Sequence, residues 1–347
     1  MDGSNTPART QILSSVMHHI DTLQQTVVNV PITAGASDLQ SYLTKLLDEI
    51  ETQPNRRAYS TASSITALST CINSFAANPN LTNNNNAALL ANRLMQEEVA
   101  SIARHPNLNP IAKGSFLQFT YKDGAKTKYL GVKIEHSTFI DVQMLIRKAG
   151  LAEDRKLYKA VSVDLATLAA PNIQVYDTNG VPAAYWWKNF LELVVQRNDS
   201  ENTKTAIEAV IKTLGILKSD YAPDHSLLRN AAIAAFKQKD TMRFDNFVDR
   251  LLANYTPIDS GATSKIAIIE QKLRQLPNTK NFDTQFELDP SSVPYRQRKI
   301  VLSSEISLTI KEGIDNLKEK IWASKTKDGK NVLVIQTENI NGFDFKV

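Results

Sequence analysis

The chain has 347 residues, 42% of them hydrophobic and 22% charged, the balance of a globular protein and not of a disordered or fibrous one. Forty Lys and Arg against 36 Asp and Glu leave a formal charge of +4, too mild for a histone-like tail. A single cysteine, Cys71, excludes an internal disulfide and a multi-cysteine zinc cage; among apolar neighbours it reads as a buried thiol in a reducing cytoplasm. No stretch approaches the ~18–20 apolar residues of a membrane helix. Met1 to Arg9 is polar with no apolar run behind it, so no secretory signal is expected.

The charge is uneven. Residues 1–112 carry 6 basic and 8 acidic side chains, and residues 113–159 carry 10 and 5. Residues 160–263 carry 10 and 12, and residues 264–347 carry 14 and 11. Two basic segments therefore alternate with two slightly acidic ones. Clustered cations form a footprint for an anionic polymer, or merely a solvated face.

Arg9 to Val28 reads as an amphipathic helix, because Ile12, Leu13, Val16, Ile20 and Leu23 recur at three- and four-residue steps before Pro31. Further helices are expected over Ser37 to Glu51, Ser60 to Phe75 and Ala87 to Ile102, the last after an Asn83–Asn86 turn or cap. From Gly114 the texture becomes β-rich. Lys122-Asp123-Gly124 joins two strand-like runs as a hairpin, and Leu157 to Leu165 is a third run. A short helix near Val142 to Lys148 is an alternative insert. Helices return over 185–196, 201–217, 225–238, 241–254 and 262–276, with Asp224 as an N-cap. After Pro277 come strands at Arg298–Leu302 and Ile306–Ile310. A second Asp-Gly hairpin, Lys327 to Lys330, lies between Lys320–Ser324 and Asn331–Thr337.

The order of helices, sheet, helices, sheet argues an α+β fold with antiparallel β-meander segments. The expected lobes are 1–180 (helices over 1–112, meander over 113–180) and 181–347 (helices over 181–280, hairpins over 281–347).

The sequence carries few signatures of chemistry. No phosphate-binding glycine loop, dinucleotide fingerprint or nucleophile elbow occurs. The histidines, His18, His19, His105, His136 and His225, have no metal-ligand spacing. Glu270-Gln271-Lys272 has the letters of a nuclease motif but sits in a helical stretch. Tyr185-Trp186-Trp187 reads as packing, and Trp322 as packing against its sheet. No catalytic residue, metal or cofactor is expected.

The basic hairpins are the remaining signal. Lys122, Lys126, Lys128 and Lys133 belong to the first, and Lys320, Lys325, Lys327 and Lys330 to the second. Arg147, Lys148, Arg155, Lys156, Arg296, Arg298 and Lys299 are further candidates. Lysines on hairpins suit phosphate contact, not base readout. No recognition helix, zinc finger or RNA-binding signature accompanies them.

Three stretches resemble the NdpA-type bacterial nucleoid-associated proteins. They are ILSSVMHHIDTL (Ile12 to Leu23), RLMQEEVASIARHPNLNPIAKGSFLQFTYKDGAKTKYLGVKIE (Arg93 to Glu135) and ISLTIKEGIDNLKEKIWASKTKDGKNVLVIQ (Ile306 to Gln336). Their order and spacing carry the resemblance, since none is a catalytic signature. Segments 53–86 and 197–280 depart from it. The resemblance implies a cytoplasmic, nucleoid-located protein that binds double-stranded DNA without enzymatic activity, as an oligomer; a dimer is expected from this and from the prevalence of two-fold assemblies. The alternative is a protein-interaction or sensing subunit of a bacterial complex, such as a phage-defence system, with a protein partner. A metal-dependent nuclease is the third reading.

Overall fold

The computed structural model describes residues 11–32, 37–53, 56–105, 113–140, 144, 147–151, 158–168, 172–178, 180 and 182–338. The fold is α+β. The chain forms two compact units, Met1–Arg197 and Asn198–Val347.

The first unit is built on strands β1 (Gln11–Asp21), β2 (Thr26–Val30), β3 (Arg57–Thr61), β4 (Gly114–Asp123) and β5 (Lys126–Glu135), with a side hairpin of β6 (Ser137–Ile140) and β7 (Arg147–Gly150). Strands β8 (Tyr158–Asp164), β9 (Ile173–Asp177) and β10 (Leu193–Val195) complete it. Eight of these form one antiparallel sheet in the order β10-β3-β9-β8-β5-β4-β1-β2. Helix α1 (Ser37–Glu51) covers one face; α2 (Ala67–Ala77), α3 (Asn85–Arg104) and a π-helical turn (Tyr185–Phe190) cover the other.

Period-two alternation feeds two cores. Leu117, Phe119 and Tyr121 of β4 meet Leu43, Leu46, Leu47 and Ile50 of α1. Phe116 points the other way, into a cluster with Leu90, Leu94, Trp186 and Phe190. On that face Gln118 donates to the Ala87 carbonyl (2.8 Å), and Thr120 to the Pro79 carbonyl (2.5 Å). Gly124, at φ +60°, makes the tight β4–β5 turn. Asn84 caps α3 by accepting from the Asn86 amide.

The first expected helix is instead β1 and β2. Leu13 and Leu23, which complete its apparent helical stripe, are exposed, while Met17 and Val16 enter the two different cores. A strand covered on both faces loses the polar alternation that marks a half-buried one, and its apolar residues can mimic a helical repeat. The expected Ser60 to Phe75 helix begins only at Ala67, because Arg57–Thr61 is β3, paired with β9 and β10. Of the alternative insert at Val142 to Lys148, residues 142, 143, 145 and 146 lie outside the described residues, and 147–148 belong to β7. The expected helix 185–196 is the π-helical turn followed by β10.

The second unit packs α4 (Asp199–Leu214), α5 (Ala222–Phe236), α6 (Phe244–Leu252) and α7 (Thr263–Lys280) around Ile207, Val210, Leu228, Phe236, Phe244, Phe247, Ile269 and Leu273. A short ladder joins β11 (Thr241–Arg243) to β12 (Gln285–Glu287). Asn198 caps α4 in a capping box with Glu201. Asp224 is not an N-cap. It is buried in the first turn of α5, where it accepts from the Tyr255 hydroxyl (2.6 Å) and the Ile258 amide (2.8 Å). Two separate hairpins follow: β13 (Gln297–Val301) with β14 (Ser307–Lys311), and, after the helical turn α8 (Leu317–Lys320), β15 (Ile321–Lys325) with β16 (Asn331–Ile335).

Candidate nucleic-acid interface

The two basic hairpin regions have different electrostatics. In the first, the lysines already have partners. Lys133 is 2% exposed and places its ammonium 2.7 and 2.8 Å from the two oxygens of Glu98, itself 0% exposed. It is an internal cation beneath α3 and leaves the set of phosphate contacts. Lys128 lies between Glu51 (2.9 Å) and Asp123 (2.6 Å). Burial opposes its charge, but the bonds to Asp123 and Glu51 outweigh that and raise its pKa. Lys126 is more open, yet pairs with buried Asp164 at 2.9 Å. Lys122 donates to Thr127 at 2.8 Å. Arg155 and Lys156 lie outside the described residues, as do the side chains of Arg147 and Lys148.

The second region holds open cations. Lys320, Lys325 and Lys327 are exposed and form no ion pair among the described residues. Lys330 reaches Asp328 at 2.8 Å, but both are well solvated, so that pair holds little energy. Gly329, at φ +84°, closes the turn carrying these charges. On the neighbouring hairpin Arg296 and Lys299 are exposed, while Arg298 is half-buried and donates to Ser226 at 3.2 Å. Lys311 belongs with them: it lies directly opposite Gln297, on the outward face that also carries Lys299. Alternation beyond Ile310 would have found it. Residues 296–337 hold nine basic and five acidic side chains, a net +4.

Arg229 and Lys237 anchor the chain between the hairpins. Arg229 donates to Glu312 (2.6 and 3.0 Å) and lies over the Tyr295 ring, and Lys237 donates to the Glu312 carbonyl at 2.6 Å. Asn230 fixes Gly313 and Ile314 through their amides. The hairpins therefore leave the α-helical core from a braced segment.

One cluster resembles a hydrolytic site by letters. Ser115 Oγ lies 2.7 Å from His19 Nδ1 and 2.8 Å from His136 Nε2. Burial, then His19 and Lys133, lower the His136 pKa to about 4. Ser115 is 0% exposed, however, so its hydroxyl does not face solvent as a nucleophile's would. The cluster ties β1, β4 and the end of β5 together. His18 and His19, on a strand rather than a helix, point to opposite faces. Among the described residues no group of three or more His, Cys, Asp or Glu could hold a metal ion. Glu270 lies in α7 and pairs with Arg274. Cys71 is buried, its thiol pushed up to about 12 by burial.

Trp186 packs against Phe116 and Phe190, and Trp187 against Tyr59. Trp322 departs from expectation: a two-stranded hairpin has no second layer to cover it, and it is 44% exposed.

No curated protein matches the chain. A family profile described as nucleoid-associated protein YejK matches residues 18–341, spanning both units and both basic hairpin regions. The chain belongs to the family of the nucleoid-associated protein YejK.

Proposed function

We propose that the protein binds double-stranded DNA of any sequence through phosphate contacts made chiefly by its second basic region, in the cytoplasm at the nucleoid, and that it is not an enzyme. The observation that carries this reading is the contrast between the two regions. The open cations Lys320, Lys325, Lys327, Arg296 and Lys299 are available to an anionic partner, whereas Lys128 and Lys133 are engaged by carboxylates. A cation already neutralised inside the fold releases no counterion from DNA, so it adds nothing to salt-dependent binding. Lys330, Lys311 and Arg298 extend the contact surface, and Lys122 and Lys126 are secondary contacts.

Binding is indifferent to base sequence in this reading, because lysines on hairpins meet phosphates and not base edges. Family membership supports a nucleoid-associated role. No helix among the described residues is long and apolar enough to cross a membrane.

The test is a salt titration with duplexes of unrelated sequence. Each phosphate contact contributes roughly 0.9 to the log–log slope. Changing Lys325, Lys327 and Lys330 together to Glu lowers affinity for every duplex alike and flattens the slope. Unchanged affinity assigns the contacts elsewhere. Metal-dependent DNA cleavage that follows the wild-type protein through successive purification steps overturns the non-enzymatic reading.

A further inference from the structure

The hairpin of β15 and β16 holds the open lysines, and between them it holds Trp322. This is the one aromatic residue in the sequence from 296 to 337, and it is 44% exposed. A tryptophan in water forgoes the burial that its large ring could gain. Trp186, in the first unit, has that burial at 0% exposure.

The register sets what surrounds the exposed ring. Trp322 lies opposite Val334 and Ser324 opposite Val332, so these four side chains share one face. The pairing runs on at both ends: the Gln336 amide donates to the Lys320 carbonyl at 2.8 Å, and the Thr326 amide to the Lys330 carbonyl at 2.9 Å. Lys320 is two residues before Trp322 and Lys325 three after it, so both lie within about 10 Å of it along the backbone. Neither β15 nor β16 contains an acid. The ring therefore stands between cations, on strands with no carboxylate to repel a phosphate.

We infer, on the basis that these lysines hold DNA, that Trp322 stacks on an unpaired base, so that the hairpin prefers DNA containing unpaired bases to a fully paired duplex. A nucleotide within a strand has a phosphate on each side of its base. Lysines on either side of the ring reach those phosphates while the base supplies the layer that the indole lacks. In a paired duplex the faces of each base are covered by its neighbours, and only the phosphate contacts remain. In a bubble or a single strand a face is free. Every base has one, so the contact is as indifferent to sequence as the phosphate contacts are. An apolar protein surface is the poorer occupant, because seating it on the ring would take the flanking lysines out of water without pairing them.

Affinity is measured by fluorescence anisotropy on three end-labelled probes: a fully paired duplex, the same duplex with a central mismatched bubble, and a thymidine-only single strand. Wild type binds the bubble more tightly than the paired duplex, on the order of tenfold to a hundredfold. Trp322→Ala removes that preference, weakens single-strand binding by a similar factor and leaves paired-duplex affinity unchanged, which also shows that the variant is folded. Trp322→Phe keeps a stacking face and restores most of the preference. The triple change of Lys325, Lys327 and Lys330 to Glu weakens all three probes, so charge and stacking separate. Unlabelled single strand quenches tryptophan emission of wild type, and Trp322→Phe loses that quench. No preference for the bubble, a preference that survives Trp322→Ala, or an equal loss on all three probes overturns the inference and leaves the phosphate contacts standing. A wild type that binds none of the probes overturns both.

Discussion

Replacing Glu98 by Gln leaves the Lys133 ammonium inside the protein without its counter-charge. The two charges are 2.7 Å apart, and at an effective dielectric constant of ~20 their attraction is about 6 kcal/mol. Part of that loss is avoided as the surroundings relax and water reaches the ammonium. The expected net loss is therefore about 3–5 kcal/mol, the usual result of breaking a buried pair from one side. The double change Glu98→Leu with Lys133→Met removes both charges together and restores stability to within about 2 kcal/mol of wild type. Guanidinium unfolding followed by tryptophan emission reads this directly, since Trp186 and Trp187 lie in the first unit. The double variant also keeps the wild-type salt slope on DNA. A loss under about 1 kcal/mol for Glu98→Gln would refute the reasoning, since it would mean that water reaches the pair.

Acidification tests the His19–Ser115–His136 cluster. The His136 pKa is depressed in the folded state, from an ordinary 6.5 to about 4, so its contribution is present above pH 6.5 and lost as pH falls through 4. That depression corresponds to at most about 3 kcal/mol, and His136→Asn flattens the loss of stability between pH 7 and 4. Lys126→Ala changes the DNA salt slope by less than Lys325→Ala, which lowers it by roughly 0.9, because Asp164 already neutralises Lys126. Gly131→Ala places a methyl group 2.9 Å from the Tyr129 hydroxyl and 3.1 Å from the Phe116 ring; denaturation should show a loss of about 1–3 kcal/mol. Cys71 stays unreactive toward a thiol reagent until the first unit unfolds, as its burial and raised pKa require.

Local chemistry was readable where one neighbour decides the outcome. Asp123-Gly124 makes its hairpin because glycine accepts the positive φ, and Gly329 does the same in the second hairpin. Helix α1 runs over Ser37–Glu51 as its leucine spacing predicts. The run Asn83–Asn86 ends as a turn and a cap because asparagine side chains bond to nearby amides. The first strands differ from their sequence pattern, since Ile12 to Leu23 has an apolar spacing compatible with a helix, and only pairing with β4 makes it a strand. Trp322 is exposed for a related reason: a tryptophan is buried only if another layer lies over it.

The candidate site divides in the same way. The sequence by itself determined the clustering of lysines at two hairpins, the lack of a familiar catalytic signature and the family resemblance, because these depend on residue type and order. Tertiary structure decided which lysines are open. Glu98 is 35 residues from Lys133 in the chain, and Glu51 is 77 from Lys128, so no local pattern joins them. Only helix-on-sheet packing brings those carboxylates onto the first hairpin and cancels its charge. Among the described residues the second hairpin has no such cover, so its lysines remain exposed. Charge on a chain is a count, whereas charge available to DNA is what remains after the fold has paired its own ions.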